Sequence, residues 1–205
     1  MLAIVDYGVG NLFSLRCSLQ AVGAEAAVTG DEGVLAKADR VVLPGVGAFG
    51  DAAGALRRAG LDRAVLREAE RGKPLLGICL GMQLLLDYST EYGRHRGLGL
   101  IPGAVRPIRP VVPEAYKVPH IGWNALSFPK DRPASPLFRY IQEGDCVYFV
   151  HSYAGTDCRE HTIATAEYGP ALTAAVARDN VYGVQFHPEK SGTVGLNILR
   201  AFCEL

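Results

Sequence analysis

The chain has 205 residues, a length that fits one compact domain spanning 1–205, with a single sizeable core and neither a linker nor a second domain. Lysine plus arginine number 21 and aspartate plus glutamate also number 21, so no net field draws the chain to phosphate backbones or acidic lipid, and nucleic acid and membrane are poor candidates as partners. Five cysteines (Cys17, Cys79, Cys146, Cys158, Cys203) form an odd set without a C-x-x-C pair, which argues against a disulfide framework and a cysteine-type zinc site; no metal is expected.

The N-terminus, Met1-Leu2-Ala3-Ile4-Val5-Asp6, has no basic stretch ahead of an apolar one and reads as a first strand rather than a signal peptide. No apolar run approaches the ~20 residues that span a bilayer, so the cytoplasm is the expected location. The first strand ends at Tyr7-Gly8-Val9-Gly10-Asn11, after which Leu12, Leu15, Leu19 and Val22 recur at helical spacing. Residues 40–43 read as a second clear strand, 44–50 as a glycine-rich turn and 56–70 as a helical stretch broken by Gly72-Lys73-Pro74. Leu75-Leu76-Gly77-Ile78 is a third buried strand that leads into Cys79. Continuous apolar strands separated by helices imply an α/β fold with a parallel sheet covered on both faces, whose ligands bind at the strands' carboxyl ends. After about Gly97 the pattern changes to mixed sheet and hairpins, with strand-like segments at 105–108, 118–126, 146–153, 162–167, 172–177 and 181–186 and a closing helix at 194–202.

Three distant segments carry chemistry. Gly77-Ile78-Cys79-Leu80-Gly81 is a G-x-C-x-G turn between a buried strand and a helix, the thiol counterpart of the nucleophile elbow; the sharp turn leaves no room for side chains beside Cys79 and places it near the positive end of the helix over 80–86, a position that suits a thiolate. The plainer reading is a buried core cysteine. In Gly183-Val184-Gln185-Phe186-His187-Pro188-Glu189, an extended chain continuing through Pro188 puts His187 and Glu189 on one side, so that Glu189 can hold the ring while His187 takes the thiol proton and returns it to a leaving amine. Pro44-Gly45-Val46-Gly47-Ala48-Phe49-Gly50 lies at the carboxyl end of the preceding strand, where the glycine-rich 45–47 turn and the Leu80 N–H are candidate donors to a tetrahedral oxyanion. Gly45-x-Gly47-x-x-Gly50 also matches the dinucleotide fingerprint, but that fingerprint expects an acidic ribose ligand near the end of the next strand, where Cys79 stands; nicotinamide binding is disfavoured and no cofactor is expected.

In Gly77-Ile78-Cys79-Leu80-Gly81-Met82-Gln83 and Gln185-Phe186-His187-Pro188-Glu189 the chain resembles the class I, triad-type glutamine amidotransferases. Four further blocks, Asp6-Tyr7-Gly8-Val9-Gly10-Asn11-Leu12, Leu43-Pro44-Gly45-Val46-Gly47-Ala48-Phe49, Pro119-His120-Ile121-Gly122-Trp123-Asn124 and Tyr148-Phe149-Val150-His151-Ser152-Tyr153, resemble the branch that supplies ammonia for imidazole formation in histidine biosynthesis, rather than the GMP, carbamoyl phosphate, anthranilate or pyridoxal phosphate systems. The resemblance covers essentially the whole chain and implies the flavodoxin-like fold of that family: a mostly parallel central sheet with helices on both faces and a mixed second half.

It further implies that Cys79 attacks the side-chain amide of glutamine, releases ammonia and forms a γ-glutamyl thioester that water hydrolyses. Val46 and Leu80 would supply the oxyanion N–H groups, the Val46 peptide turning into place when the synthase is active. Gly47, Gln83, Glu91 and the backbone around His151, Ser152 and Tyr153 would hold glutamine, Glu91 matching its α-ammonium. Without the family, Gln83 reads as an exposed helix residue and Glu91 as a solvated loop charge. The implied partner is a cyclase subunit, a (β/α)8 barrel forming a heterodimer with this chain, with Asn11, His120, Trp123 and Asn124 at an interface sealed around an ammonia channel. For Trp123, the only tryptophan, core packing is the alternative. Delivery of ammonia to another synthase and a regulatory subunit with a degenerate site remain the competing functions; the intact Cys79, His187 and Glu189 argue against the second.

Overall fold

In the computed structural model, which describes residues 1–205, the first half alternates strand and helix: β1 (Leu2–Val5), α1 (Leu12–Ala21), β2 (Ala26–Thr29), α2 (Glu32–Lys37), β3 (Arg40–Leu43), α3 (Phe49–Arg58), α4 (Leu61–Glu70), β4 (Leu75–Ile78) and α5 (Leu80–Leu85). Every residue of β1 and β4 is buried, which is why these strands read as unbroken apolar runs. The second half contains β5 (Tyr88–Ser89), β6 (His95–Arg96), β7 (Ala104–Pro107), β8 (His120–Ser127), β9 (Cys146–His151), β10 (Tyr153–Thr156), β11 (Thr162–Glu167), β12 (Ala171–Arg178) and β13 (Val181–Val184), and closes with α6 (Gly192–Cys203).

Nine strands form one sheet in the order β2-β1-β3-β4-β13-β12-β11-β8-β9, parallel from β2 to β13 and antiparallel beyond. One face is covered by α3, α4 and α5 through Phe49, Leu56, Leu61, Val65 and Leu85, the other by α1 and α6 through Leu15, Leu19, Ile198 and Phe202. A second sheet, β10-β7-β5-β6, flanks the first. The last strand is inserted next to β4 in parallel register, with Gly183 opposite Gly77 and Val184 opposite Ile78. The chain leaving β13 therefore emerges at the same sheet edge as the chain leaving β4.

Several expected elements are corrected. The helical stretch 56–70 is two helices, because Gly60 takes a left-handed φ of 71° and ends the run after α3, which itself begins at Phe49, inside the expected turn. The strand expected over 146–153 breaks at Ser152: β9 pairs with β8 in the large sheet, and β10 crosses to β7 in the small one. β2 and α2 were not expected. β2 is an edge strand of which no residue is fully buried, so its apolar signal is weak; α2 has only 6 residues and is started by Asp31, whose Oδ1 accepts from Gly33 N–H at 2.6 Å.

Two glycines test this packing in opposite directions. A Cβ on Gly81 would lie 1.8 Å from the Leu43 carbonyl oxygen, a backbone atom that cannot move aside. Gly54, inside α3, would meet only the terminal Nη1 of Arg58 at 3.0 Å. Gly81→Ala is expected to cost ~3 kcal/mol or more, and Gly54→Ala to add ~0.5–1 kcal/mol by restricting the unfolded chain, both read as shifts in chemical denaturation midpoint. Equal midpoints for the two variants would contradict the packing described.

Candidate active site

Cys79 stands between β4 and α5 with φ 54° and ψ −111°, a left-handed conformation that costs a non-glycine residue of order 1–3 kcal/mol and that clusters at functional sites. The flanking glycines are required by contact. A Cβ on Gly77 would fall 2.7 Å from Gly81 O and Met82 N, and Gly81 is packed on β3. Gly45 interlocks with the same turn, since its Cβ would lie 2.8 Å from Tyr7 Oη, 2.9 Å from Gly81 N and 3.0 Å from Leu80 Cβ. Tyr7 Oη donates to Pro44 O at 2.8 Å and so fixes the entry to the 45–47 turn. Burial, reinforced by the neighbouring Cys79, raises the Tyr7 pKa.

The Cys79 N–H donates to Val184 O at 2.8 Å, which extends the β4–β13 ladder by one residue. Gln185 Nε2 lies 3.7 Å from Sγ, and the His187 side chain borders the same cavity as Cys79. Nδ1 of His187 is 2.8 Å from Glu189 Oε1, with both side chains buried. Burial works to lower the His187 pKa, but hydrogen bonds to Cys79 and Glu189, together with their charges, outweigh it and raise the pKa to about 9. The pair arises differently from the extended-chain expectation. β13 stops at Val184, and Pro188–Lys190 forms a 3-10 turn that folds Glu189 back onto the ring. Ser191 Oγ holds that turn by donating to His187 O at 2.6 Å and accepting from Tyr148 N at 2.9 Å, while His187 N donates to Tyr148 O at 3.0 Å.

Cys79 and His187 border a cavity of about 400 Å³. Val46, which is 43% exposed, Gly47 with φ 90°, and Leu80 line the side next to the sulfur. Gln83, Glu91 and residues 151–153 line the rest, with Pro119, Val150 and Lys190, which sequence reasoning did not single out. Gln83 and Glu91 are both buried, which corrects the exposed-helix and solvated-loop readings. Gln83 Nε2 donates to Tyr153 O and to Gln185 Oε1, each at 3.0 Å; Glu91 Oε2 accepts from Phe49 N–H at 2.6 Å. Gln185 and Tyr7 are further neighbours of the sulfur whose role no local sequence signal marks.

His151 is buried beside this cavity, its Nδ1 2.9 Å from Tyr153 O. Burial drives its pKa down to about 4, so it is uncharged at neutral pH. His120 lies beneath the outer face of β8 and is 1% exposed, which corrects its expected place at a surface. Its ring stacks on Tyr168 and Phe149 and its nitrogens meet His151 at 3.1 Å and Asn124 at 2.7 Å. Asn124 also turns inward, donating to Glu167 O at 2.9 Å. The large side chains that β8 presents outward are Ile121 (57% exposed) and Trp123 (54%), so core packing does not describe Trp123. Asn11 precedes α1, where Phe13 is 72% exposed. Alternation along β8 was the available signal for Ile121.

The family model described as glutamine amidotransferase class-I matches residues 3–204. Imidazole glycerol phosphate synthase subunit HisH of Syntrophotalea carbinolica is 48% identical over all of both chains, and the protein of that name from Oceanobacillus iheyensis is 46% identical over 100% of this chain and 99% of its own. Among solved structures, PurLQS from Thermotoga maritima superposes with a TM-score of 0.76 at 20% identity, covering 99% of this chain and 97% of that one. A structure described as glutamine amidotransferase gives 0.75 at 19%, covering 98% and 97%. At that identity the structural neighbours show the fold alone.

Because the folded state raises the His187 pKa from its ordinary 6.5 to about 9, the stability His187 contributes is complete below pH ~6.5 and is lost as pH rises through about 9. Glu189→Gln removes one of the groups that hold the ring charged. Thermal unfolding is therefore expected to show a melting temperature that falls less between pH 6.5 and 9 in Glu189→Gln than in the wild type; parallel curves would contradict the ion pair.

Proposed function

We propose, from the premise that this chain belongs to the class-I glutamine amidotransferase family, that it is the glutaminase subunit of imidazole glycerol phosphate synthase, hydrolysing L-glutamine to glutamate and supplying the ammonia to a cyclase in histidine biosynthesis. The observation that carries the reading is one cavity lined by both a strained Cys79 and His187, whose ring Glu189 holds.

In the reaction we propose, the Cys79 sulfur, its proton taken by His187, attacks the γ-carbon of the glutamine amide, and the tetrahedral oxyanion is received by the Leu80 and Val46 N–H groups. Leu80 opens α5, so its N–H has no intrahelical acceptor. His187, charged at neutral pH, gives its proton to the amide nitrogen; the C–N bond breaks and ammonia leaves a γ-glutamyl thioester. Water then adds to the thioester, passes a proton to His187 and expels the sulfur, releasing glutamate. Glu189 keeps the ring oriented and its charge compensated. Glu91 is assigned to the α-ammonium, while Gly47, Gln83 and the 151–153 backbone shape the rest of the glutamine pocket.

The relatives are named as subunits, and a subunit has a partner. The partner proposed here is a (β/α)8-barrel cyclase in a heterodimer, and what supports a docking face is the exposed pair Ile121 and Trp123 on β8, with His120 and Asn124 supporting the strand from beneath; Phe13, beside Asn11 at the start of α1, is a further exposed apolar side chain. The cytoplasm is the proposed setting; five free cysteines, two of them exposed, suit a reducing compartment.

The decisive measurement uses the complex with the cyclase subunit. Cys79→Ala is expected to lower glutamine-dependent product formation by ~10³-fold or more, while formation from added ammonium salt stays near wild type. Retained glutamine dependence in Cys79→Ala overturns the assignment of the nucleophile. Trp123→Ala is expected to weaken association of the two subunits by ~10-fold or more, measured by titration calorimetry, since exposed aromatic anchors dominate interface energies; unchanged affinity removes Trp123 from the docking face.

A further inference from the structure

The carboxylate of Glu91 does more in this fold than face the cavity. Its Oε2 accepts from the N–H of Phe49 at 2.6 Å in a buried setting, and Phe49 is the first residue of α3. The residue before it, Ala48, has the extended conformation of a helix cap but no side chain able to accept a hydrogen bond, so α3 lacks a cap from its own segment. Glu91 supplies an acceptor from 42 residues away. The Glu91 backbone is itself anchored, its N–H donating to Ser89 Oγ at 3.1 Å from a fully buried serine.

The rest of the β5–β6 hairpin grips the same helix. The His95 ring lies over Gly50, where an added Cβ would fall 2.8 Å from Cε1 and 2.9 Å from Nε2. Arg57 Nη2, near the end of α3, donates to Arg96 O at 2.5 Å. The third glycine of Gly45-x-Gly47-x-x-Gly50 thus admits an imidazole rather than a nucleotide. Upstream of the clamp, Gly47 has φ 90° and open space where a Cβ would point, and Val46 is a partly exposed side chain, so nothing in those two residues fixes the turn. The nearest rigid point downstream is Phe49 N–H, three residues after Val46.

We propose that Glu91 is a positioning residue for the 45–48 turn: one carboxylate oxygen pins the start of α3 and thereby sets where the Val46 peptide lies, while the other, which has no hydrogen-bond partner within the chain, is the one that meets the substrate's ammonium. This rests on the reading of the cavity as a glutamine site and deepens it. The substrate's α-amino group then contributes to the geometry of the oxyanion turn as well as to binding, because it engages the side chain that holds the turn.

The test separates the two roles by substitution. Gln at position 91 keeps an oxygen acceptor for Phe49 N–H and loses the charge; Ala loses both. In the ligand-free protein, hydrogen exchange of the peptide covering 44–52 is expected to quicken by about tenfold or more in Glu91→Ala and to stay within about twofold of wild type in Glu91→Gln, since a buried N–H left without its acceptor loses local protection. A residue that only binds substrate leaves exchange unchanged in both variants, and that result overturns the proposal. Should Glu91→Ala fail to fold, Glu91→Asp takes its place: its carboxylate is one methylene short of Phe49, and quickened exchange is again the expected result, unchanged exchange the refuting one. In the assembled synthase, Glu91→Gln is expected to raise KM with kcat within about threefold, and Glu91→Ala to raise KM and lower kcat by about tenfold or more. Equal kcat values in the two variants also overturn it. If the wild-type complex releases no glutamate from glutamine, the glutaminase reading fails, while the exchange measurement still decides whether Glu91 holds the turn.

Discussion

The hydrogen-bonded pairing of β13 with β4 is the constraint on which the cavity depends. It joins two segments more than a hundred residues apart in parallel register, and the Cys79 N–H to Val184 O bond continues that ladder into the elbow. A cysteine at φ 54° does not hold its conformation unaided; the ladder on one side and the contact of Gly81 with β3 on the other over-determine it. The same register decides where the chain emerges after Val184, and with it the place of His187. Sulfur and imidazole meet because two strands align, before any interaction between the side chains themselves is counted.

Once placed, identical side chains acquire opposite properties from their surroundings. His187 and His151 are both buried near one cavity, yet the pKa of one rises to about 9 and that of the other falls to about 4. The difference lies in the neighbours: a carboxylate and a thiol face His187, whereas His151 has a backbone carbonyl and the uncharged His120 ring. At neutral pH the region therefore contains one charged imidazole rather than several, and the Asn124–His120–His151 chain serves as scaffold for β8 and β9.

Much of this was legible in the sequence wherever the signal is local. The G-x-C-x-G turn, the buried strands β1, β3 and β4, and the closing helix each carry their signal in a few adjacent residues, and the structure places them as read. Where burial is created from a distance, local reading misleads. Gln83 sits on a helix that looks half exposed, and its environment is set by Tyr153 and Gln185, 70 and 102 residues further on. His187 and Glu189 come together through a 3-10 turn rather than strand alternation, so the right pair was reached by the wrong geometry. The inward turn of His120 depends on Tyr168 and Phe149, which the Pro119-to-Asn124 motif does not contain. Gly45, Gly47 and Gly50 match a nucleotide-binding pattern, yet each is explained by a different feature of this fold: contact with Tyr7 and the elbow, a left-handed φ, and a covering histidine ring.

The hydrogen bonds between Tyr148 and the 187–191 segment have one more consequence. β9 ends the large sheet, and its outer backbone groups would otherwise be a free template for another chain. On Tyr148 those groups are satisfied by His187 N and Ser191 Oγ, which tie the last strand of the antiparallel half to the chain leaving β13. His187 thus lies in the seam between the edge strand β9 and the chain leaving β13. Loosening that seam would uncover part of a strand edge, so the segment that carries His187 also shields the fold from sticking to its own copies.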